Sequence, residues 1–340
     1  MRHGTWCCLL HAAWCLAFSG GWCASAQPFY LPTANHAIFE RGQEDKFLVG
    51  TVGKPWTSGG FGCVRTEGWQ MHEGLDIKCL QRDAHGEPAD PVSAAADGTV
   101  TYINTHSALS NYGNYIVLRH EVDGLEVYTL YAHLHEARSG LKPGQPVKTG
   151  EVIATMGRTS NTRQAISKER AHVHFEIDFL LNERFASWQK NAHPGERNDH
   201  GEWNGQNLVG IDPQKVLLEE HAQGDKFSLV NFVRHETELC RVLARTPHLS
   251  WARRYPQLVT PNPRADKEGV AGYEILLDFN GLPFQITPRA TSEMSGKGRF
   301  QLLSVNEAEQ KKNPCRRLVT RRGHWELTSH GLQLLELLTY

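Results

Sequence analysis

The sequence predicts a mainly β protein, an antiparallel sheet or sandwich followed by a small α+β domain. From about Thr51 to Gly157, short apolar runs alternate with turn dipeptides such as Asp97-Gly98 and Asp123-Gly124, which are typical of hairpins. Beyond residue 220 the pattern changes. FSLVNFVRHETELCRVLAR predicts a helix, GYEILLDFNGLPFQITPR two strands, GRFQLLSV a further apolar segment, and HGLQLLELL a final helix.

Composition limits the function classes. The chain has 340 residues, of which 40% are hydrophobic and 21% charged, as in an ordinary globular protein large enough for two domains. With 36 basic and 37 acidic residues it lacks the positive charge that attracts a polyanionic backbone, so nucleic acid is not an expected partner. No apolar run reaches the roughly 18 residues that would predict a membrane span.

The N-terminus has the signature of an export signal. One basic residue precedes an apolar stretch that ends in Ala24-Ser25-Ala26, so residues 1–26 are predicted to be a secretory signal peptide. An amphipathic or buried helix is the alternative. Export would place the mature protein in the periplasm or outside the cell.

Cysteine pairing follows from that expectation. The four cysteines that remain after cleavage are Cys63, Cys79, Cys240 and Cys315. An even number in an oxidising compartment predicts two disulfides, and proximity along the chain favours Cys63 with Cys79 and Cys240 with Cys315. Free cysteines buried as small hydrophobic residues are the alternative.

The predicted domain organisation has three parts after the signal. Residues 27–59 are a lead-in segment, residues 60–219 a β domain, and residues 220–340 an α+β domain of unknown role. Within the β domain, a polar run over about 181–209 predicts a long surface loop that either walls a groove or covers an edge strand.

Two histidines stand one residue apart in RAHVHFEI, which predicts a strand. Side chains alternate between the faces of a strand, so His172 and His174 point one way while Val173 and Phe175 face a core. Alone, the pair also fits an exposed polar face. Its interpretation depends on what else reaches that face.

A histidine and a carboxylate lie four positions apart in MHEGLDIKC. Gly74 allows a tight turn there, and the strand that follows would bring His72 and Asp76 together. By itself the motif also fits a turn-capping aspartate beside an exposed histidine.

A third motif, YTLYAHLHE, predicts a strand with Tyr131, His133 and His135 on one face. A half-buried structural stripe would have the same pattern. The occurrence of all three motifs in one β domain predicts a common site.

This order of motifs, HxxxD, then YAHL, then HxH followed by FE, resembles the lysostaphin-type zinc metalloendopeptidases, the M23 peptidase family with its LytM-like domain. AAADGTV, YGNYIVLRH and PGQPVKTGEVIATMG fit the same resemblance, which runs from roughly Phe61 to Leu217. It implies a β-sheet fold with an open groove, one zinc ion, and cleavage of peptide bonds in peptidoglycan stems or cross-links.

Carried over residue by residue, the resemblance implies that His72, Asp76 and His174 bind Zn2+ and that His133 and His172 are catalytic. Such a set suits hydrolysis, because three N or O ligands leave a position on zinc for water. The two other imidazoles would handle the proton and stabilise the oxyanion. Peptidoglycan peptides are therefore the expected partner.

Several alternatives remain open. His135 is predicted to lie on the same strand face as His133 and could replace it, and the charged run Lys168-Glu169-Arg170 is either a solvated turn or a substrate contact. A non-catalytic peptidoglycan-binding module, or an activator of a cell-wall amidase, would share the fold but lose ligands, and none is lost here. A lipoyl-like carrier would leave the histidines unexplained.

Overall fold

The structure is a computed structural model that describes Met1 and residues 28–340. Apart from Met1, the predicted signal peptide lies outside the described residues, as do its four cysteines. Within the described part of the chain, no helix is long and apolar enough to cross a membrane.

Strands occur along the whole length of the described chain, with helices between some of them. In chain order they are β1 Gly62–Arg65, β2 Gln70–His72, β3 Leu75–Lys78, β4 Pro91–Ser93, β5 Gly98–Asn104, β6 Asn114–Val122, β7 Leu125–Ala137, β8 Pro146–Val147, β9 Val152–Met156, β10 His172–Leu180, β11 Leu208–Ile211, β12 Cys240–Ala244, β13 Gly272–Leu277, β14 Pro283–Arg289, β15 Phe300–Val305, β16 Val319–Arg322 and β17 His324–Leu327.

A nine-stranded sheet forms the first part of the molecule. Its main path runs β11-β10-β7-β6-β5-β8, with β3 beside β10, β9 beside β7 and β4 beside β9. All of these pairs are antiparallel, which confirms the predicted fold class. The β6–β7 hairpin turns at Asp123-Gly124 as predicted, with positive φ at both residues. The hairpin predicted at Asp97-Gly98 is wrong, because β4 pairs with β9 and not with β5.

The sheet is covered on both faces. Val173, Phe175 and Ile177 of β10 belong to a large apolar core, as their alternation predicts. On the opposite face of the sheet, Tyr115, Leu130 and neighbouring side chains form a smaller apolar cluster. Trp203 from the 181–209 segment packs against this cluster. Strand β10 is consequently buried at every position.

A second, four-stranded antiparallel sheet has the order β14-β13-β12-β15. The two strands predicted around Asn280-Gly281 are β13 and β14, and the predicted final helix runs from Ser329 to Leu338. The single helix predicted from FSLVNFVRHETELCRVLAR is wrong in part: a helix over Leu229–Arg234 is followed by strand β12. Val242 and Ala244 of β12 are fully buried between two neighbouring strands, so tertiary packing outweighs the helical pattern.

The α-helices are α1 Glu44–Phe47, α2 Phe185–Ala192, α3 Pro213–Gln223, α4 Leu229–Arg234, α5 Ser250–Arg254, α6 Pro263–Glu268, α7 Glu307–Lys312 and α8 Ser329–Leu338. Helix α2 lies inside the segment predicted as a loop over 181–209, so that prediction is wrong there. Phe185, Trp188 and Gln189 are its buried residues, at the i, i+3, i+4 spacing of a helix face.

The predicted disulfide pairs are wrong. Cys63 of the β1–β2 hairpin is bonded to Cys315, 252 positions along the chain. Cys79 is a buried free thiol that donates to Asp90 Oδ2 over 3.0 Å, and Cys240 is free and buried in β12. The prediction from proximity along the chain failed because the fold places the 313–317 segment against the β1–β2 hairpin.

The two sheets share buried apolar surface. One core cluster contains side chains from Phe29 in the lead-in to Leu338 in α8, and Asn182 Nδ2 donates to Leu337 O over 2.7 Å. The predicted domain boundary at 219/220 falls inside α3, between the last strand of the first sheet and the first strand of the second, and it stays a prediction.

Candidate metal centre

Three side chains converge where β3 meets β10. Asp76 lies directly across from His174 in the antiparallel register, and His72 ends strand β2 just before β3 begins. Their nearest atoms are His72 Nε2, Asp76 Oδ1 and His174 Nδ1, separated by 3.0–3.1 Å. All three residues are buried, at 0%, 1% and 4% exposure.

The turn that brings His72 to Asp76 depends on close packing. A Cβ on Gly74 would lie 2.3 Å from Phe175 O and 2.9 Å from Glu176 Cγ. Gly74 has no positive φ, so glycine is needed here for close approach to β10 and not for a left-handed turn.

Hydrogen bonds fix which nitrogen of each histidine faces the centre. The Nδ1–H of His72 donates to Gly60 O over 2.7 Å, which leaves its Nε2 as the lone-pair atom. The Nε2–H of His174 donates to Glu176 Oε1 over 2.6 Å, which directs Nδ1 to the centre. Such outer contacts orient the ligating ring nitrogens of metal sites.

Asp76 is oriented in the same way. Arg65 Nη2 donates to Asp76 Oδ2 over 2.6 Å, so Oδ1 is the oxygen left for the centre. Burial by itself would raise the pKa of Asp76, but the charges and hydrogen bonds of the surrounding histidines lower it well below its usual value. Asp76 is therefore an anion.

The donor set fits a zinc ion. Nitrogen, nitrogen and oxygen donors at about 2.0–2.1 Å from a tetrahedral zinc lie roughly 3.3 Å apart, close to the separations found here. Burial disfavours a charge on His174, but hydrogen bonds to Asp76 and Glu176 outweigh it and raise the pKa of His174 to about 9. A metal ion that binds at this centre therefore displaces a proton.

Two further imidazole rings, those of His172 and His133, lie beside the set formed by His72, Asp76 and His174. His172 Nδ1–H donates to Arg170 O over 2.6 Å, and its Nε2 lies 3.4 Å from Asp76 Oδ1. His133 Nδ1–H donates to Thr159 O over 2.8 Å, and its ring centre lies 4.9 Å from that of His172. Both rings thus have an Nε2 without its proton in the neutral state.

Burial lowers the pKa of both rings, for His133 to well below its usual value with a further contribution from His172 and His174. They are neutral at neutral pH. A neutral imidazole with a free Nε2 can accept a proton.

Backbone geometry selects His133 over His135. The prediction that Tyr131, His133 and His135 share a face is wrong, because β7 has a register irregularity here and His133 has φ +60°. Tyr131 faces the apolar core, His133 faces the centre, and His135 is exposed to solvent. The structure thus brings together all five residues of the predicted site.

The sequence analysis assigned no role to three residues of this centre. Glu176 follows from the strand pattern itself, since the face that carries His172 and His174 includes position 176. Arg65, in the β1–β2 hairpin, had no such signal. The Tyr112 ring packs against the His174 ring, with their centres 5.7 Å apart.

The 181–209 segment packs close to the centre. His200 Nδ1 and the Tyr102 hydroxyl are 2.9 Å apart, and the Tyr115 hydroxyl donates to Trp203 O over 3.1 Å. Gly205 lies against Tyr112. The two predicted roles of the segment, a groove wall and a cover for an edge strand, stay predictions.

Fold and site together define a mainly antiparallel β protein with a buried His–Asp–His set that could hold a metal ion. The sequence profile described as Peptidase family M23 matches residues 70–185, a segment that contains all five histidine and aspartate positions. The chain is 33% identical over 97 residues to "Lipoprotein NlpD" of Yersinia enterocolitica, which covers 28% of this chain and 86% of that protein. The chain therefore belongs to peptidase family M23.

Other relatives match over a smaller share of their length. The chain is 35% identical over 107 residues to "Lipoprotein NlpD/LppB homolog" of Pseudomonas aeruginosa, covering 32% of this chain and 29% of that one. It is 36% identical over 99 residues to "Murein hydrolase activator NlpD" of Escherichia coli, covering 28% and 22%. The match thus spans less than a third of these two proteins.

Among solved structures, the catalytic domain of the antimicrobial peptidase lysostaphin from Staphylococcus simulans is similar. The identity is 22%, with 47% of this chain and 87% of that chain covered and a TM-score of 0.29.

Proposed function

We propose that this protein is an exported zinc metalloendopeptidase that hydrolyses peptide bonds in the stems or cross-links of bacterial peptidoglycan. The observation that carries the proposal is the convergence of His72 Nε2, Asp76 Oδ1 and His174 Nδ1, each oriented by an outer hydrogen bond. A module that only binds would not need three oriented donors beside two neutral imidazoles.

In this proposal His72, Asp76 and His174 hold the ion. When bound, zinc would supply Lewis acidity and lower the pKa of a water at its open position to about 7. His172 and His133 then divide the proton handling. Nε2 of one ring would accept the proton of the attacking water, and the imidazolium so formed would stabilise the developing oxyanion and pass that proton to the leaving amine; Nε2 of the other ring would orient the water by accepting a hydrogen bond from it.

A second candidate function comes from the relatives. One of them is named a murein hydrolase activator, so the chain would act by stimulating a separate amidase. The complete ligand set and both neutral imidazoles favour hydrolysis by the chain itself.

One experiment separates the two. Zinc-loaded protein is incubated with purified peptidoglycan, and the released fragments are identified by mass spectrometry. Hydrolysis predicts peptides cut within the stem or cross-link, and a loss of about 10²-fold or more in His133→Ala with its zinc retained. An activator would release nothing alone and would increase the release of whole stems by an added amidase. That result would overturn the peptidase proposal.

A further inference from the structure

Arg170 carries a positive charge that has no carboxylate partner. It lies in the charged run before β10, where Lys168 pairs with Glu87, as does Arg158 earlier in the same segment. Among the described residues, Arg170 forms no ion pair, although its side chain is partly buried. A guanidinium that has no ion partner and remains partly exposed is available to an anionic ligand.

The Arg170 side chain is held in a defined place. Its Nε donates to Gly50 O over 2.9 Å, a bond that links it to the lead-in segment. Neither Nη1 nor Nη2 has an acceptor within the described part of the chain. The end of the guanidinium therefore keeps its two parallel donors, the geometry that matches the two oxygens of a carboxylate.

Arg170 also lies beside the reacting position. Its carbonyl oxygen accepts the Nδ1–H of His172 over 2.6 Å, so its backbone orients one of the two imidazoles. Burial lowers the pKa of Arg170, and the charges of Asp76 and Arg65 act on it in opposite directions. Asp76 already accepts a hydrogen bond from Arg65 and would be a metal ligand, so it cannot also neutralise Arg170.

We infer that Arg170 binds a free carboxylate on the peptide substrate and thereby makes the enzyme selective for acidic peptides at its cleavage site. This inference rests on the proposed hydrolase function and specifies its substrate class. The carboxylate has two possible sources in the substrate. One is an α-carboxylate on a branched diamino acid next to the scissile bond, and the other is the C-terminal carboxylate of the peptide.

The test uses synthetic peptidoglycan peptides that differ by one group. Each has either a free carboxylate or a primary amide, at the diamino acid in one pair and at the chain terminus in the other. kcat and KM are measured with wild type, with Arg170→Gln, and with Arg163→Gln as control. Arg163 is exposed, lies in the same segment and makes no hydrogen bond among the described residues.

For wild type, amidation at one of the two positions should raise KM about tenfold or more, with a smaller effect on kcat. The affected pair identifies the source of the carboxylate. Arg170→Gln should lose this discrimination while Arg163→Gln keeps it. Equal KM for free and amidated peptides in wild type, or discrimination that persists in Arg170→Gln, would overturn the inference and leave the hydrolase proposal intact.

If zinc-loaded wild type cleaves none of the peptides, the hydrolase proposal fails, and calorimetry with the same peptides then tests the inference. Tighter binding of the free carboxylate, abolished by Arg170→Gln, would support it. Binding that ignores amidation would overturn it.

Discussion

At the residue scale, His133 has a backbone conformation that its position in a strand would not predict. Its φ of +60° lies in the left-handed region, which costs a residue with a Cβ roughly 1–2 kcal/mol. The peptide is held by the His133 N–H, which donates to Tyr112 O over 2.8 Å. The conformation turns the imidazole away from the core face and toward the metal-ligating set, so strain is stored where function needs it.

This strain can be measured by comparing two variants that both lack the ring. His133→Gly should have a free energy of unfolding about 1 kcal/mol higher than His133→Ala, because glycine adopts positive φ without a Cβ penalty. Urea denaturation of the metal-free proteins measures the difference. Equal stability of the two variants, or a more stable alanine variant, would show that the conformation is not strained.

Glu176 is the second residue whose role extends beyond packing. Burial by itself would raise the pKa of Glu176, but its hydrogen bond to His174 and the charge of that ring lower it, so Glu176 is charged. Burial and the Glu176 charge raise the pKa of Asp178 well above its usual value. Glu176 therefore holds the His174 ring as an anion on the side away from Asp76.

Glu176→Gln should therefore weaken zinc binding about 10- to 100-fold, because the His174 ring would lose its anionic partner. Competition with a chromogenic chelator measures the affinity. Glu169→Gln, an exposed carboxylate of the segment before β10, is the control and should bind zinc as wild type does. Unchanged affinity in Glu176→Gln would exclude a role for Glu176 in holding the ligand.

At the element scale, the site depends on how closely the β2–β3 connection approaches β10. Strands β3 and β10 pair from Leu75 to Lys78, which sets Asp76 across from His174. His72 lies outside that pairing and reaches the centre only because the chain at Gly74 packs against the Phe175 carbonyl. The ligand geometry is thus a property of two adjoining elements.

Gly74→Ala should disrupt this geometry. The added Cβ would meet backbone atoms that cannot rotate away, so β2 must shift and carry His72 with it. We expect a loss of about 1–3 kcal/mol in the free energy of unfolding and a clear loss of zinc affinity. Gly86→Ala, at φ +76° with no atom near the new Cβ, is the control: it should lose about 1 kcal/mol of stability from its backbone conformation alone and keep wild-type zinc affinity. Wild-type zinc affinity in Gly74→Ala would contradict this account.

At the scale of the whole molecule, the Cys63–Cys315 bond joins the hairpin that precedes His72 to the C-terminal part of the chain. Arg316 reinforces the junction, since its Nε donates to Asn280 Oδ1 over 2.7 Å and Asn280 Nδ2 donates to Gly210 O. The β domain and the C-terminal residues are therefore linked covalently near the metal centre.

Cys315→Ser should lower the stability of the protein by about 5 kcal/mol on the chain-entropy model, because the bond closes a very long loop. Thermal unfolding measures the loss, and Cys63→Ser should lose a similar amount. Peptide mapping of the non-reduced protein should recover Cys63 and Cys315 as one cross-linked pair and Cys79 and Cys240 as free thiols. Recovery of a Cys63–Cys79 peptide would contradict the structure.

Glu220 of α3 links folding to pH. Its Oε1 accepts the Phe29 N–H over 2.8 Å, while burial raises the pKa of Glu220 from its ordinary 4.5 to about 7. Between these values the folded protein holds a proton that the unfolded chain has released. Stability therefore falls as pH rises from about 4.5 to 7, by up to about 3 kcal/mol.

Glu220→Gln should remove this part of the pH dependence, because glutamine does not titrate. Urea denaturation at pH 4.5 and pH 8 should show a larger loss of stability for wild type than for the variant. Glu219→Gln, the exposed neighbour in the same helix, should keep the wild-type dependence. Parallel pH profiles for wild type and Glu220→Gln would refute the assignment.

Motif order and strand alternation in the sequence determined the fold class and the family resemblance, and they singled out the five residues that the fold brings together. His172 and His174 share a face because the period of two is a property of any strand, and Glu176 could have been added on the same ground. The C-terminal strands β13 and β14 were predictable too, since Asn280-Gly281 marks their turn. Local rules suffice where a feature depends on residues close along the chain.

Tertiary structure alone decided the features that depend on contacts between distant segments. The Cys63–Cys315 bond, the hydrogen bond from Arg65 to Asp76 and the free guanidinium of Arg170 involve contacts that no local pattern encodes. Strand β12 replaced a helical pattern because two neighbouring strands bury it, and His133 was selected over His135 by a single left-handed residue. The physical reason is the same each time: burial and hydrogen-bond satisfaction are settled by what the complete fold packs around a residue, and that free energy exceeds local conformational preference.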